Sequence, residues 1–385
     1  MGLLIAFFGT VCYNLPVIIK EVFPLADILL LAGPVLCVAF YLYAYFAAQQ
    51  PKHGTLEWIA MQEKPTMTRE NLLNKLHWSD SLWGLLAMVM AAGTCLGFMA
   101  CVDMSILTTA LLAGSLWLPL VSTTISALLV YLTAKALTGK AGLCVLATLL
   151  YCLALPFVSS PNLLAVTALM LGSFLLLLLW LHKTRTASWL SLLASALLLG
   201  AALWMHPSAL LFAGVWTLSV LFGGILRMKT EDDSFWYLLG SLLSGVVLAA
   251  AVPVVTELLS GTPVSTLPAR FFAMVCYFPS ENMHLLPLFL PAVGLTLAAI
   301  PAYISGISSR RDAKAVLLLL FTVGAIPMFL FTSLELLYPA ATLALAYITG
   351  RIYDRNYPGA AYVTALTAPV LTVITIFFTL MEVTL

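Results

Sequence analysis

What most constrains this chain is a succession of long, uncharged apolar runs, each closed by a short polar connection. Leu163–Leu181 and Phe235–Thr256 contain no Asp, Glu, Lys or Arg at all. A helical run of roughly 20 such residues matches the hydrocarbon thickness of a bilayer. Backbone polar groups in lipid must be satisfied internally, and a helix does this within one segment. The two-residue alternation of a membrane β-barrel is missing. Charged residues make up 9% of the chain and hydrophobic ones 62%, whereas a water-soluble domain would be about one-quarter charged. So few charges could not keep a core of this size in water; lipid must solvate it.

The expected fold class is therefore all-α, a polytopic transmembrane helical bundle. Spans are expected at Leu3–Ile19, Leu25–Ala48, Leu82–Met104, Leu112–Leu132, Ala141–Leu155, Leu163–Leu181 and Trp189–Met205. They continue at Ala209–Leu226, Phe235–Thr256, Leu285–Tyr303, Ala315–Phe331, Leu336–Ile352 and Ala360–Met381, about thirteen in all. Residues 1–48 form a two-helix membrane leader, 49–80 a cytoplasmic linker and 81–385 the main bundle. Within the linker, Thr68–Trp78 has an N-cap threonine and apolar residues at helical spacing, so an interfacial helix is expected there. It serves either as a partner-docking segment or as a plain tether. The first run lacks a basic leading segment and a small-residue cleavage site, and reads as a retained helix.

Basic residues fall in alternate connections: Lys52, Lys64, Arg69 and Lys75; Lys135 and Lys140; Lys183 and Arg185; Arg227 and Lys229; Arg310, Arg311 and Lys314; Arg351 and Arg355. Only Lys20 and Arg270 fall on the other side. The positive-inside rule then places the N-terminus in the cytoplasm and the C-terminus outside. One missed or invented span would scramble this order.

Several function classes are disfavoured. A net charge of +1 gives no electrostatic case for nucleic acid. The seven cysteines (12, 37, 95, 101, 144, 152 and 276) are scattered, without zinc-ligand spacing or a disulfide framework, and Cys95 and Cys101 read as small core residues. There is no phosphate-binding glycine loop, zinc helix motif or nucleophile elbow. No carboxylate or basic residue lies at mid-membrane, which disfavours a proton or ion relay, and no internal repeat supports an inverted-repeat transporter.

The ionisable groups gather instead at the outer ends of spans. Asp103 closes the third span, His206 the seventh and Glu257 the ninth, while Glu335 opens the twelfth and Asp27 sits just inside the second. Arg270, Glu281 and His284 lie in the aromatic outer segment from Leu258 to His284, expected on the membrane interface. This pattern fits a cavity open at the outer leaflet, where a lipid-borne substrate meets groups from several helices. The alternative for each group is that it reaches headgroup water at a helix end. Asp103 is the strongest candidate, as a general base on an acceptor hydroxyl or as the ligand of a divalent cation. His206, in a Pro-Ser turn, and Arg270, the one outer arginine, could contact a phosphate. Glu257 and Glu335 are supporting carboxylates.

A series of segments carries a family likeness. Leu128–Gly139 is an apolar helix ending in a short basic turn, and Ala141–Pro161 is a second helix with a brief outer turn. Leu175–Trp189 gives a helix, the basic turn His182-Lys-Thr-Arg185 and the start of another helix. Ala194–Pro207 is a small-residue helix ending in a polar residue and Pro, and Leu336–Ala346 is a helix with Pro339 at its fourth position. In this order, from Ser126 to Leu210 and again near the C-terminus, they resemble the GT-C glycosyltransferases that use polyprenyl-phosphate sugars. That family includes bacterial protein O-mannosyltransferases and the enzyme adding aminoarabinose to lipid A. The resemblance implies a GT-C-like bundle in a bacterial cytoplasmic membrane. It further implies transfer of a sugar from a polyprenyl-phosphate carrier to a glycan, lipid or protein at the outer face. The chain departs from the family in five places. It has a lone Asp103 in place of an acidic pair, and a short first outer connection. Aligned on Pro339, Leu336 stands where the family's Tyr-x-x-Pro helix has Tyr, Glu335 replaces the basic residue before it, and His206 stands where Lys or Arg usually precedes Pro. Three rivals follow: an active transferase, a non-catalytic GT-C-like subunit that binds lipid or a membrane-protein partner, and a transporter or flippase.

Overall fold

A computed structural model describes residues 81–102, 117–154, 161–182, 185–231, 235–261, 286–310, 313–331, 337–355 and 357–384. The leader, the linker and the outer segment 262–285 lie outside the described residues. Within them the chain forms eleven helices and no strand. These are α1 (Ser81–Val102), α2 (Trp117–Thr138), α3 (Ala141–Ala154), α4 (Pro161–His182), α5 (Arg185–Met205) and α6 (Ala209–Glu231). They continue with α7 (Phe235–Ser260), α8 (Leu286–Arg310), α9 (Ala313–Phe331), α10 (Leu337–Asp354) and α11 (Pro358–Thr384). Four of them, α2, α4, α7 and α11, contain stretches long and apolar enough to cross a membrane. Shorter apolar stretches lie in α1, α3, α5, α6, α8 and α9. The described residues thus form the all-helical bundle of a membrane protein; the count of thirteen spans extends beyond them.

The end of α2 shows why the boundaries differ from the apolar runs. The run Leu112–Leu132 predicts a span that stops at Leu132, yet α2 continues to Thr138. Polar residues there do not interrupt the backbone ladder, because their side chains find local partners. Thr133 Oγ1 donates to Leu129 O (2.6 Å) and Thr138 Oγ1 to Ala134 O (3.1 Å). The helix stops at Gly139, whose φ of 74° is left-handed and suits glycine. Its N–H donates to Lys135 O (2.8 Å), and the Lys135 ammonium curls back onto Gly139 O (3.0 Å).

Small residues set the packing. α4 lies against α2 and α5, α5 against α7, and α6 against α9. α10 packs on α2, α3, α8, α9 and α11, and every residue from Leu337 to Gly350 is buried. Near its C-terminal end, a Cβ on Gly350 would come within 2.7 Å of Thr138. α7 is the opposite case. It buries only the stripe Leu238, Ser241, Gly245, Ala249, Pro253 and Glu257, one residue per turn, and turns Val247, Leu258 and Leu259 outward. An exposed apolar face of this length fits hydrocarbon and not water.

Hydroxyls inside the bundle are met mainly by the preceding turn of their own helix, as Thr148 by Cys144 O (2.7 Å) and Thr349 by Leu345 O (2.8 Å). One cluster instead joins three helices. Ser173 Oγ (α4) donates to Ser195 O (2.9 Å), Ser195 Oγ (α5) donates to Ser173 O (2.8 Å), and Trp216 Nε1 (α6) donates to Ser195 Oγ (2.8 Å).

Direction alternates from helix to helix, and contacts pair residues at matching levels: Ser173 with Ser195, Phe174 with Phe321, Tyr303 with Tyr347. One end of the bundle consequently gathers every Lys and Arg among the described residues. They are Lys135, Lys140, Arg185, Arg227, Lys229, Arg310, Lys314, Arg351 and Arg355.

Candidate functional site

Two of the expected site residues fall at the end opposite the cations. Asp103, Arg270 and Glu335 lie outside the described residues. His206 and Glu257 are described, and both belong to this end.

His206 follows the last residue of α5 in a tight reversal that begins α6. Its N–H still donates to Ala202 O (3.0 Å), completing α5, and its carbonyl accepts from the Ala209 N–H (3.2 Å) at the start of α6. Pro207 fits this corner because its missing N–H would have had no helical acceptor. The imidazole folds over the turn. Nδ1 accepts from the Ser208 N–H (3.2 Å) and lies 2.8 Å from Ser208 Oγ. A ring nitrogen that accepts a backbone N–H carries no proton, so the proton of the neutral ring sits on Nε2. His206 therefore suits a phosphate oxygen better than a metal ion.

Glu257 ends the buried stripe of α7 and is 6% exposed, whereas its neighbour Leu259 is 82% exposed. It is the one Asp or Glu buried among the described residues. Its carbonyl accepts from Ser260 Oγ (2.9 Å), which closes the last turn of the helix.

The packing of α5 on α7 sets these two at one level. A Cβ on Gly200 would lie 2.8 Å from both Ala249 O and Val252, so the backbones touch there. The two helices run in the same direction. His206 lies six residues beyond Gly200, and Glu257 lies five beyond Val252 and eight beyond Ala249. At 1.5 Å per residue these offsets are about 9 Å and about 8–12 Å. A histidine and a buried carboxylate thus lie at about the same level on adjoining parallel helices.

Among the described residues no three His, Cys, Asp or Glu side chains gather closely enough to hold a metal ion. A small cavity between α4, α6, α9 and α10, lined by Thr167, Met170, Phe212, Phe321 and Pro339, encloses about 10 Å³. That is room for about one water and not for a substrate.

The features missed by reading the sequence lie at the basic end. Lys135, Lys314 and Arg355 are buried there, although positive-inside residues are expected to face water or headgroups. The spacing Tyr347, Arg351 puts both on one face of α10, with Arg355 in the turn just past its end, and this was the legible sign. Arg351 Nη1 donates to Tyr347 Oη (2.9 Å).

The fold and the apolar helices define the class: a multi-helix integral membrane protein. No family model, curated protein or solved structure matches the chain.

Proposed function

We propose that this protein is a GT-C-like membrane glycosyltransferase. It would transfer a sugar from a polyprenyl-phosphate carrier to a glycan, lipid or protein acceptor at the outer membrane face. The basic end is then cytoplasmic, and the end with His206 and Glu257 faces outward. The single observation behind this reading is that pair: a buried carboxylate and an Nε2–H imidazole on adjoining helices, away from the cations. Burying a carboxylate at a membrane-protein helix end is costly and marks a site worth testing. In this scheme Asp103 is the general base, or the residue that holds a divalent cation. His206 and Arg270 meet the phosphate, and Glu257 and Glu335 support them.

The test is transfer from a radiolabelled polyprenyl-phosphate sugar by the purified chain in proteoliposomes, with and without EDTA. Asp103→Asn is expected to reduce transfer by about 10²–10⁴-fold, the range for loss of a general base, with folding intact. Unchanged transfer in that variant would remove Asp103 from the chemistry. A second reading is a non-catalytic subunit of the same fold that binds lipid or a partner membrane protein. It is favoured by the cations: all described Lys and Arg lie at the far end, whereas a transferase must neutralise its phosphate leaving group. Stable co-purification with a membrane protein, together with no donor-dependent transfer, would select it.

A further inference from the structure

α7 carries a proline within its apolar length, and that proline sits on the face the helix buries. Pro253 belongs to the stripe that runs from Leu238 to Glu257. A proline has no N–H, so the Ala249 carbonyl one turn back receives no bond from it along the helix. That carbonyl lies against the backbone of α5, where a Cβ on Gly200 would come within 2.8 Å of both Ala249 O and Val252. Gly200 offers it a Cα–H, a weak substitute for an amide donor. The turn after the proline is loosened as well. Thr256 Oγ1 donates back to Val252 O (2.8 Å) and Pro253 O (2.9 Å), a pattern that bends helices. Two separate features, a missing ladder bond and a hydroxyl drawing on the neighbouring carbonyls, thus mark one level of α7.

The two sides of that level are held differently. Toward the basic end, Gly245 lies directly against the Trp216 ring of α6, and Trp216 in turn donates to Ser195 Oγ of α5 (2.8 Å). Beyond the proline, Glu257 is the one buried residue between Val254 and Ser260, and Val255, Leu258 and Leu259 are exposed. A short stretch of weakened backbone between a fixed part and a lightly packed one is where a helix absorbs a change of direction. The bare Cα of Gly200 leaves no side chain to obstruct it. We infer that α7 is hinged at Pro253. Its last two turns swing on α5 with Gly200 as the bearing, and they carry Glu257 toward or away from the level of His206. The use of this motion, opening the outer end to a lipid-borne substrate, rests on the transferase reading; the motion itself does not.

Spin labels on a chain without its native cysteines test the hinge, in nanodiscs of phosphatidylethanolamine and phosphatidylglycerol. One pair, Trp204→Cys with Leu259→Cys, reports on α7 beyond Pro253. The other, Leu197→Cys with Val247→Cys, reports on the side toward the basic end. All four positions are exposed. Pulsed dipolar spectroscopy is expected to give a broader distance distribution for the first pair than for the second. Pro253→Ala, which restores the missing N–H, should narrow the first distribution to the width of the second and leave the second as it is. The hinge is overturned if the first distribution is no broader than the second, or if Pro253→Ala leaves it broad. The comparison of the two pairs needs no change at the proline, so it decides the matter even where Pro253→Ala does not fold. Polyprenyl phosphate added to the nanodiscs is expected to narrow the first distribution. A broad distribution that it leaves unchanged would count against the transferase reading and not against the hinge.

Discussion

Ser173 and Ser195 exchange two hydrogen bonds, each hydroxyl donating to the other residue's backbone carbonyl at 2.9 and 2.8 Å. This reciprocal pair locks α4 to α5 deep in the apolar interior, and the Trp216 indole N–H, donating to Ser195 Oγ at 2.8 Å, brings α6 into the same lock.

Ser195→Ala removes two of these three bonds, keeps the one from Ser173 Oγ to the backbone carbonyl of residue 195, and leaves the Trp216 N–H buried. The expected loss is about 1–3 kcal/mol for an unsatisfied buried donor, toward the lower figure if the denatured state in detergent finds other partners. Ser173→Ala leaves the Trp216 bond intact and should cost less. Unfolding in mixed micelles measures both. Equal effects would show that the tryptophan bond adds nothing.

Gly200 tests the frame beneath His206 and Glu257. Gly200→Ala drives a methyl against Ala249 O and Val252 at 2.8 Å, and a backbone oxygen yields little. A cost of about 1–3 kcal/mol is expected, as for overpacking elsewhere. Transfer activity, if present, should fall with it. Gly240→Ala is the control, since nothing lies within 4 Å of its added methyl. It should be neutral or gain up to about 1 kcal/mol from helix propensity.

Gly139→Ala probes the turn between α2 and α3. At φ 74° the alanine is strained, and a loss of about 1 kcal/mol is expected. Alanine at the equally left-handed Gly261 should cost a similar amount, because no neighbour lies within 4 Å of the added methyl to increase the strain. A much larger loss at 139 would mean that the Lys135 ammonium on Gly139 O contributes more than a local cap.

Orientation is checked by labelling single cysteines in a background without the native ones. Arg310→Cys and Gly261→Cys, at opposite ends of the bundle, should react from opposite sides of the membrane. Labelling of the Arg310→Cys variant from the exterior would invert the assignment and move His206 and Glu257 to the cytoplasm.

The class of the molecule and the order of its helices were legible because lipid solvation leaves a coarse mark: length and absence of charge. The run Leu163–Leu181 matches α4, which spans Pro161–His182, almost residue for residue. Ends were less legible. α7 passes Thr256 to Ser260 and α8 passes Tyr303 to Arg310, because a helix continues into the polar interface until a turn residue or a cap stops it. Which face of each helix meets protein was hidden. Leu and Ala serve protein and lipid contacts alike, so periodicity does not separate Leu243, exposed on α7, from Leu238, buried on it. At the candidate site the sequence picks out His206 and Glu257 individually. Their common level depends on the Gly200 contact, which no spacing within one helix reveals. In sequence the buried cations mark sidedness alone, since burial is a property of neighbouring helices.

The enclosure of α10 has a consequence for how the protein is made. Of the described helices it is the least apolar and also the most completely surrounded by protein. A segment with Tyr338, Thr342, Tyr347 and Thr349 on its sides has little to recommend it to bare hydrocarbon, so its insertion draws on helices already in place. Ribosomes must deliver α2, α3, α8 and α9 before it, and α11 closes over it afterwards. A chain ending after Asp354 would leave it open to lipid along one side, a ready target for membrane quality control.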